Sequence, residues 1–165
     1  VLIGESAHGD DLNAAHVNTV LGPRSGPVGV AWATALATPT VGHSPFIAVL
    51  APSVAVKPFT LFVTKATPHS DLHQSLTWGP AQAGVAVGVA DAVADGTITA
   101  ERCDTDVLIA SVWVNPRAHD ADAVYRNNRA ATAAALRNAI AGRPTLEQVR
   151  TASSHVTNGL NTAGD

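Results

Sequence analysis

The stretch Pro80–Asp95, within WGPAQAGVAVGVADAVADG, is apolar nearly all the way round at helical spacing. A helix without a polar face has to be buried on every side, so the rest of the chain must wrap it in further layers. Pro80 suits the first turn of such a helix and Gly96 the position just past its end. Gly84 and Gly88 lie one turn apart, where another element can approach closely. Gln82 falls in the first turn, where its amide either caps its own helix or faces a ligand beside free backbone N–H groups.

The other layers come from short runs rich in β-branched residues. Val1–Glu5 and the strand that follows Ala14 flank a polar turn with Gly9, Asp10, Asp11 and Asn13, which predicts a hairpin. In the second strand His16, Asn18 and Val20 point one way, and Ala15, Val17, Thr19 and Leu21 the other. Gly22-Pro23 and Gly26-Pro27 then break the strand. Val28, Ala31, Trp32, Ala35 and Leu36 mark an amphipathic helix over Pro27–Ala37. The uninterrupted run Phe46–Ala51 predicts a strand buried on both faces. Thr60–Thr67 predicts another, with Lys65 and Thr67 on the face of Leu61 and Val63. Ser70–Leu76 reads as one or two helical turns, Asp106–Asn115 as a strand covered on both sides, and Ala121–Ile140 as a long alanine-rich helix ending at Gly142. Beyond it lie a short amphipathic turn around Leu146–Val149 and a polar tail. The order β-β-α-β-β-α-β-α predicts one α/β sandwich, a mixed sheet with helices on one side. The domain is expected over 1–142 and the tail over 143–165.

Composition narrows the function. The chain has 165 residues, a net charge of -3 and no basic stripe, which argues against nucleic acid as a partner. Its longest uncharged apolar run, Ala83–Ala90, is far short of a membrane span. Cys103 is the single cysteine, so neither an internal disulfide nor a thiolate cluster is available, which fits a cytoplasmic chain. Glu101, Asp104 and Asp106 around it oppose thiolate formation. His8, Asp10 and Asp11, and the pair His69 and His73, lack further ligands, and no metal is expected. His16 is either a hydrogen-bonded, half-buried histidine or a proton-transfer group held by a rigid strand. Lys65 either reaches for water or holds its ammonium over a pocket.

Taken in order and spacing, the blocks LNAAHVNTVLGPRSGP, GHSPFIAVLAPSVAVKP, TLFVTKAT, WGPAQAGVAVGVADAVADG and DVLIASVWVNP resemble the formaldehyde-activating enzyme family, 5,6,7,8-tetrahydromethanopterin hydro-lyase. The resemblance runs from about Ile3 to Ile140. It implies the α+β fold of ribosomal protein S5 domain 2, with a left-handed β-α-β unit, and a homopentamer with active sites between subunits. It implies a lyase of one-carbon metabolism and formaldehyde detoxification. Such a lyase condenses formaldehyde with tetrahydromethanopterin as cosubstrate, with no permanently bound cofactor, to methylene-tetrahydromethanopterin and water. Matched by position, the family's catalytic histidine falls on His16, and its pterin-contacting positions on Asn18, Ile47, Lys65, Thr67 and Gln82. Imidazole chemistry suits the expulsion of a carbinolamine hydroxyl near neutrality.

The chain departs from the family pattern in two places. Asn18 stands where the family usually has Asp, and Asn128-Arg129-Ala130-Ala131-Thr132 replaces Asn-Tyr-Glu-Ala-Thr. The first bears on substrate or turnover, and the second on a contact between subunits. A paralogue that binds a pterin or carbonyl metabolite without turnover, or an enzyme acting on a different amine, fits those departures.

Overall fold

Leu2–His8 (β1) and Ala15–Pro23 (β2) pair as an antiparallel hairpin that forms one side of the sheet. The structure is a computed structural model and describes residues 1–41, 43–154 and 156. After β2 come α1 (Pro27–Ala37), β3 (Phe46–Ile47), a two-stranded ribbon of β4 (Val49–Ala51) and β5 (Val54–Ala55), and β6 (Phe59–Thr64). The helices α2 (Asp71–Leu76), α3 (Gln82–Ala94) and α4 (Ala100–Thr105) lead into β7 (Asp106–Val114), followed by α5 (Ala121–Ile140) and α6 (Leu146–Ala152). The main sheet has the order β1-β2-β7-β6-β3. Among the described residues only β6 and β7 pair in parallel, so the sheet is mixed, as expected.

Burial along β2 alternates as its sequence dictates, with Ala15, Val17, Thr19 and Leu21 inward and His16, Asn18 and Val20 half-buried. The inward face joins Phe62, Ala110, Val112, Val85 and Ala131 in one core cluster, and Leu21, Leu108, Val89 and Leu136 in another. This core lies between the sheet and the helices α3 and α5. Most of α3 is buried, as an all-apolar helix requires. A Cβ on Gly84 would come 2.4 Å from the Tyr125 carbonyl oxygen, and one on Gly88 2.6 Å from that of Arg129. Glycine at both positions lets the two backbones touch. Asn128 and Thr132 are buried on the facing side of α5, and Arg129 pairs with Asp91 of α3 through Nε at 2.6 Å and Nη2 at 3.0 Å. The altered block thus packs within the chain.

Several expectations need correction. Phe46–Ala51 is split: Phe46 and Ile47 pair at the sheet edge, Ala48 turns inward, and Val49–Ala51 is exposed in the ribbon. A run of apolar residues does not distinguish a central strand from an edge that awaits cover. β7 is buried on one face, whereas Ile109, Ser111 and Trp113 on the other are half-buried. Pro80 does not open α3. It sits in a π-helical turn, Thr77–Ala81, that runs α2 into α3, a wider turn that accommodates a residue without an N–H. The helices are not all on one side. A Cβ on Gly22, on the His16 face, would come 2.8 Å from Val28, so α1 lies across one end of that face. Most of α1 is exposed, with Val28 its one buried residue. The described part of 143–165 carries α6, closed by a capping box between Thr145 and Gln148. Positions 155 and 157–165 of the expected tail lie outside the described residues. No helix among the described residues is long and apolar enough to cross a membrane.

Candidate active site on the open face of the sheet

Residues paired across neighbouring strands share a face, so the strand register reads out the open side of the sheet row by row. One row is wholly apolar: Ile3, Val20, Ile109, Leu61 and Ile47. The next contains Glu5, Asn18, Ser111 and Val63. Beyond it Ala7, His16 and Trp113 stand abreast. Lys65 follows β6 on the same parity as Val63, its N–H bonded to the Val112 carbonyl at 2.8 Å. An apolar floor therefore gives way to a polar end that holds His16, Asn18, Lys65 and Glu5.

Two side-chain contacts organise that end. The Glu5 carboxylate Oε1 lies 2.9 Å from His16 Nε2. Lys65 Nζ donates to Asn18 Oδ1. Burial pushes the Lys65 ammonium below the ordinary lysine range, while the nearby Glu5 charge pulls it back up. The amide at position 18 supplies an acceptor without a second negative charge. An imidazole with a carboxylate on one nitrogen can deliver and recover protons through the other.

Of the six positions singled out from the sequence, His16, Asn18, Lys65 and Ile47 share this face. Ile47 belongs to the apolar row and His16 to the polar end. Thr67 lies three residues beyond the end of β6 and is exposed. Gln82 is elsewhere in the chain, buried in the helix layer. It accepts from the Val49 N–H at 2.8 Å through Oε1, with its Nε2 3.4 Å from the Val49 carbonyl oxygen. Because helical turns precede α3, Gln82 has no free helix end to share with a ligand. It ties α3 to the β4 ribbon instead.

Glu5 was not foreseen as a site residue. The signal was present in the hairpin, since a strand that pairs with β2 must place one side chain opposite Asn18. Its register was not fixed by the Gly9–Asn13 turn alone.

The other candidate clusters serve the fold. His73 is buried, its Nδ1 accepts the His69 N–H at 3.1 Å, and its Nε2 lies 3.0 Å from the Val114 carbonyl oxygen. Both ring nitrogens are thereby engaged. Among the described residues no group of three or more His, Cys, Asp or Glu is placed to hold a metal ion. Burial and the Asp104 charge raise the Cys103 thiol above the ordinary range, against a smaller opposing pull from Lys57.

Comparison with known proteins gives the family. The family model described as Formaldehyde-activating enzyme (Fae) matches residues 3–160. A 5,6,7,8-tetrahydromethanopterin hydro-lyase of Methanosarcina barkeri is 43% identical over 147 residues, 89% of this chain and 83% of that protein. The Bifunctional enzyme Fae/Hps of Methanothrix thermoacetophila is 40% identical over 148 residues, 90% of this chain and 38% of that protein. That of Archaeoglobus fulgidus is 42% identical over 148 residues, 89% of this chain and 37% of that protein. The chain thus spans two-fifths or less of the bifunctional relatives it matches. With the match covering nearly its whole length, the chain belongs to the formaldehyde-activating enzyme family.

Proposed function

We propose that this chain condenses formaldehyde with tetrahydromethanopterin to methylene-tetrahydromethanopterin and water, with His16 as general acid and base. The observation that carries the reading is the meeting of His16, Glu5, Asn18 and Lys65 at one end of an open sheet face, in a chain of this family. A pterin amine adds to the aldehyde, His16 protonates the departing hydroxyl, and the second amine closes the ring. Ile47, Val20 and Ile109, the half-buried members of the apolar row, offer a floor for a flat ring, and Lys65 and Asn18 offer polar contacts at its edge. Orientation and one well-placed acid suffice for a condensation of such reactive partners. No permanently bound cofactor and no metal enter this scheme.

The site is completed in a homo-oligomer, a pentamer by resemblance, with Thr67 contributing at a cleft between subunits and Gln82 contributing through the β4 ribbon that it holds. The exposed apolar residues Val30 on α1 (67%), Leu50 (47%) and Val54 (51%) on the ribbon support an assembly that covers them. The parallel pair β6 and β7, joined through α2, α3 and α4, is the left-handed β-α-β unit of a ribosomal protein S5 domain 2-like fold spanning 1–142. We place the activity in the cytoplasm, in formaldehyde detoxification.

The test is the rate of methylene-tetrahydromethanopterin formation above the spontaneous background, for the native chain and for Asn18→Asp. Native activity supports the reading. Activity that appears only in Asn18→Asp favours the second reading, a diverged paralogue that binds without turnover or uses another amine. That alternative rests on the amide, in place of a carboxylate, that Lys65 meets at position 18.

A further inference from the structure

We propose that Lys65 is a carbonyl-capturing amine, whose Nζ, held by the Asn18 amide beside His16 on the open sheet face, takes up formaldehyde before the carbon passes to the cosubstrate. This rests on formaldehyde being the aldehyde handled at the site, and it replaces direct addition of the pterin amine to the aldehyde by transfer through Lys65, with the same acid and the same products.

The chain has two lysines, and their surroundings differ in the respect that matters for nucleophilicity. Lys57 Nζ lies 2.5 Å from the Asp104 carboxylate, and that pairing holds the Asp104 carboxyl below its usual range. Lys65 bonds instead to a neutral acceptor, Asn18 Oδ1. The charged group that acts on it, Glu5, already has Oε1 against His16. The groups sharing its end of the face are Glu5 from β1, His16 and Asn18 from β2, and Ser111 and Trp113 from β7. A lysine is nucleophilic only through its free amine, and partial burial without a paired carboxylate is how proteins raise the fraction of that form.

The chemistry closes on itself. The Nζ lone pair forms a bond to the aldehyde carbon, the carbonyl electron pair moves onto oxygen, and the proton lost by nitrogen is taken up there. His16 then protonates the hydroxyl, which leaves as water, and an Nζ=CH2 iminium remains. A pterin amine adds to that carbon, and its proton moves to Nζ, which departs as the neutral amine. The second pterin amine closes the ring and releases the proton that His16 had given. Lys65 returns unchanged, and one water is lost overall.

Reductive trapping tests this without the pterin. The full chain is exposed at neutral pH to limiting isotopically labelled formaldehyde with cyanoborohydride, and N-methylation at each lysine is followed by peptide mass spectrometry. Lys65 is expected to be methylated about tenfold or more faster than Lys57. Asn18→Asp, which places a carboxylate against Nζ, is expected to remove that preference. Equal rates at the two lysines, or a preference unaffected by Asn18→Asp, overturn the proposal. A chain that labels Lys65 yet forms no methylene-pterin loses the pterin substrate and keeps the capturing amine. A chain that forms methylene-pterin with equal labelling loses only the amine.

Discussion

Glu5 Oε1 stands 2.9 Å from His16 Nε2, a side-chain link between the two strands of the β1–β2 hairpin. With Nε2 donating to the carboxylate, Nδ1 is the nitrogen left to exchange protons with a substrate. Both side chains are partly exposed, so the pair adds little to stability and its effect belongs to the orientation of the ring. Glu5→Ala is expected to leave the melting temperature nearly unchanged. The same substitution should lower kcat by about three- to tenfold, with KM within about a factor of two. Steady-state kinetics beside a thermal melt separate this from a structural role, which would shift both.

Lys65 carries a pH signature. Its ammonium is disfavoured in the folded chain, so the unfolded chain binds more protons just below the ordinary lysine value of 10.5. Stability contributed by this group therefore rises as pH climbs toward that value, and is smallest at lower pH where both states are protonated. Urea titrations across the alkaline range should show this rise in the native chain. In Lys65→Met that component should be absent.

The α3–α5 contact tolerates no added methyl group. Gly84→Ala brings a Cβ against the Tyr125 carbonyl oxygen, a clash with backbone that no rotamer relieves. It is expected to destabilise the chain by about 1–3 kcal/mol despite the better helix propensity of alanine. Chemical denaturation of the variant measures this.

His73 holds the start of α2 to the end of β7 through both ring nitrogens. His73→Leu should cost about 1–3 kcal/mol by leaving the Val114 carbonyl without its buried imidazole partner. Zinc or a chelator should leave the native melting curve unmoved, because neither nitrogen is free to bind a metal. A zinc-dependent rise in melting temperature would contradict this assignment.

How far these features could be read from the chain follows from the range of the interactions that set them. Alternation fixed the inward and outward residues of β2, and Gly96 and Gly142, both at positive φ, end α3 and α5 as their positions suggested. Gly84 and Gly88 announced a close contact, although not that α5 would fill it. Pairings between distant strands were beyond local pattern. Nothing near Phe46 says that β3 lies at an edge, and nothing near Pro80 says that the helical turns of Ser70–Leu76 run on through it into α3. His16, Asn18 and Lys65 could be placed on strand faces, but their meeting depends on β7 lying between β2 and β6. Gln82 illustrates the opposite limit, because its amide is satisfied by Val49, a partner 33 residues away in the chain.

If the His16 imidazole moves the proton in the condensation, its removal must cost most of the rate. The most direct measurement compares methylene-tetrahydromethanopterin formation by the native chain and by His16→Ala, each corrected for the uncatalysed rate. The native chain is expected to catalyse clearly, and the variant to fall by about a hundredfold or more, toward background. A variant that retains the native rate would contradict this role of His16.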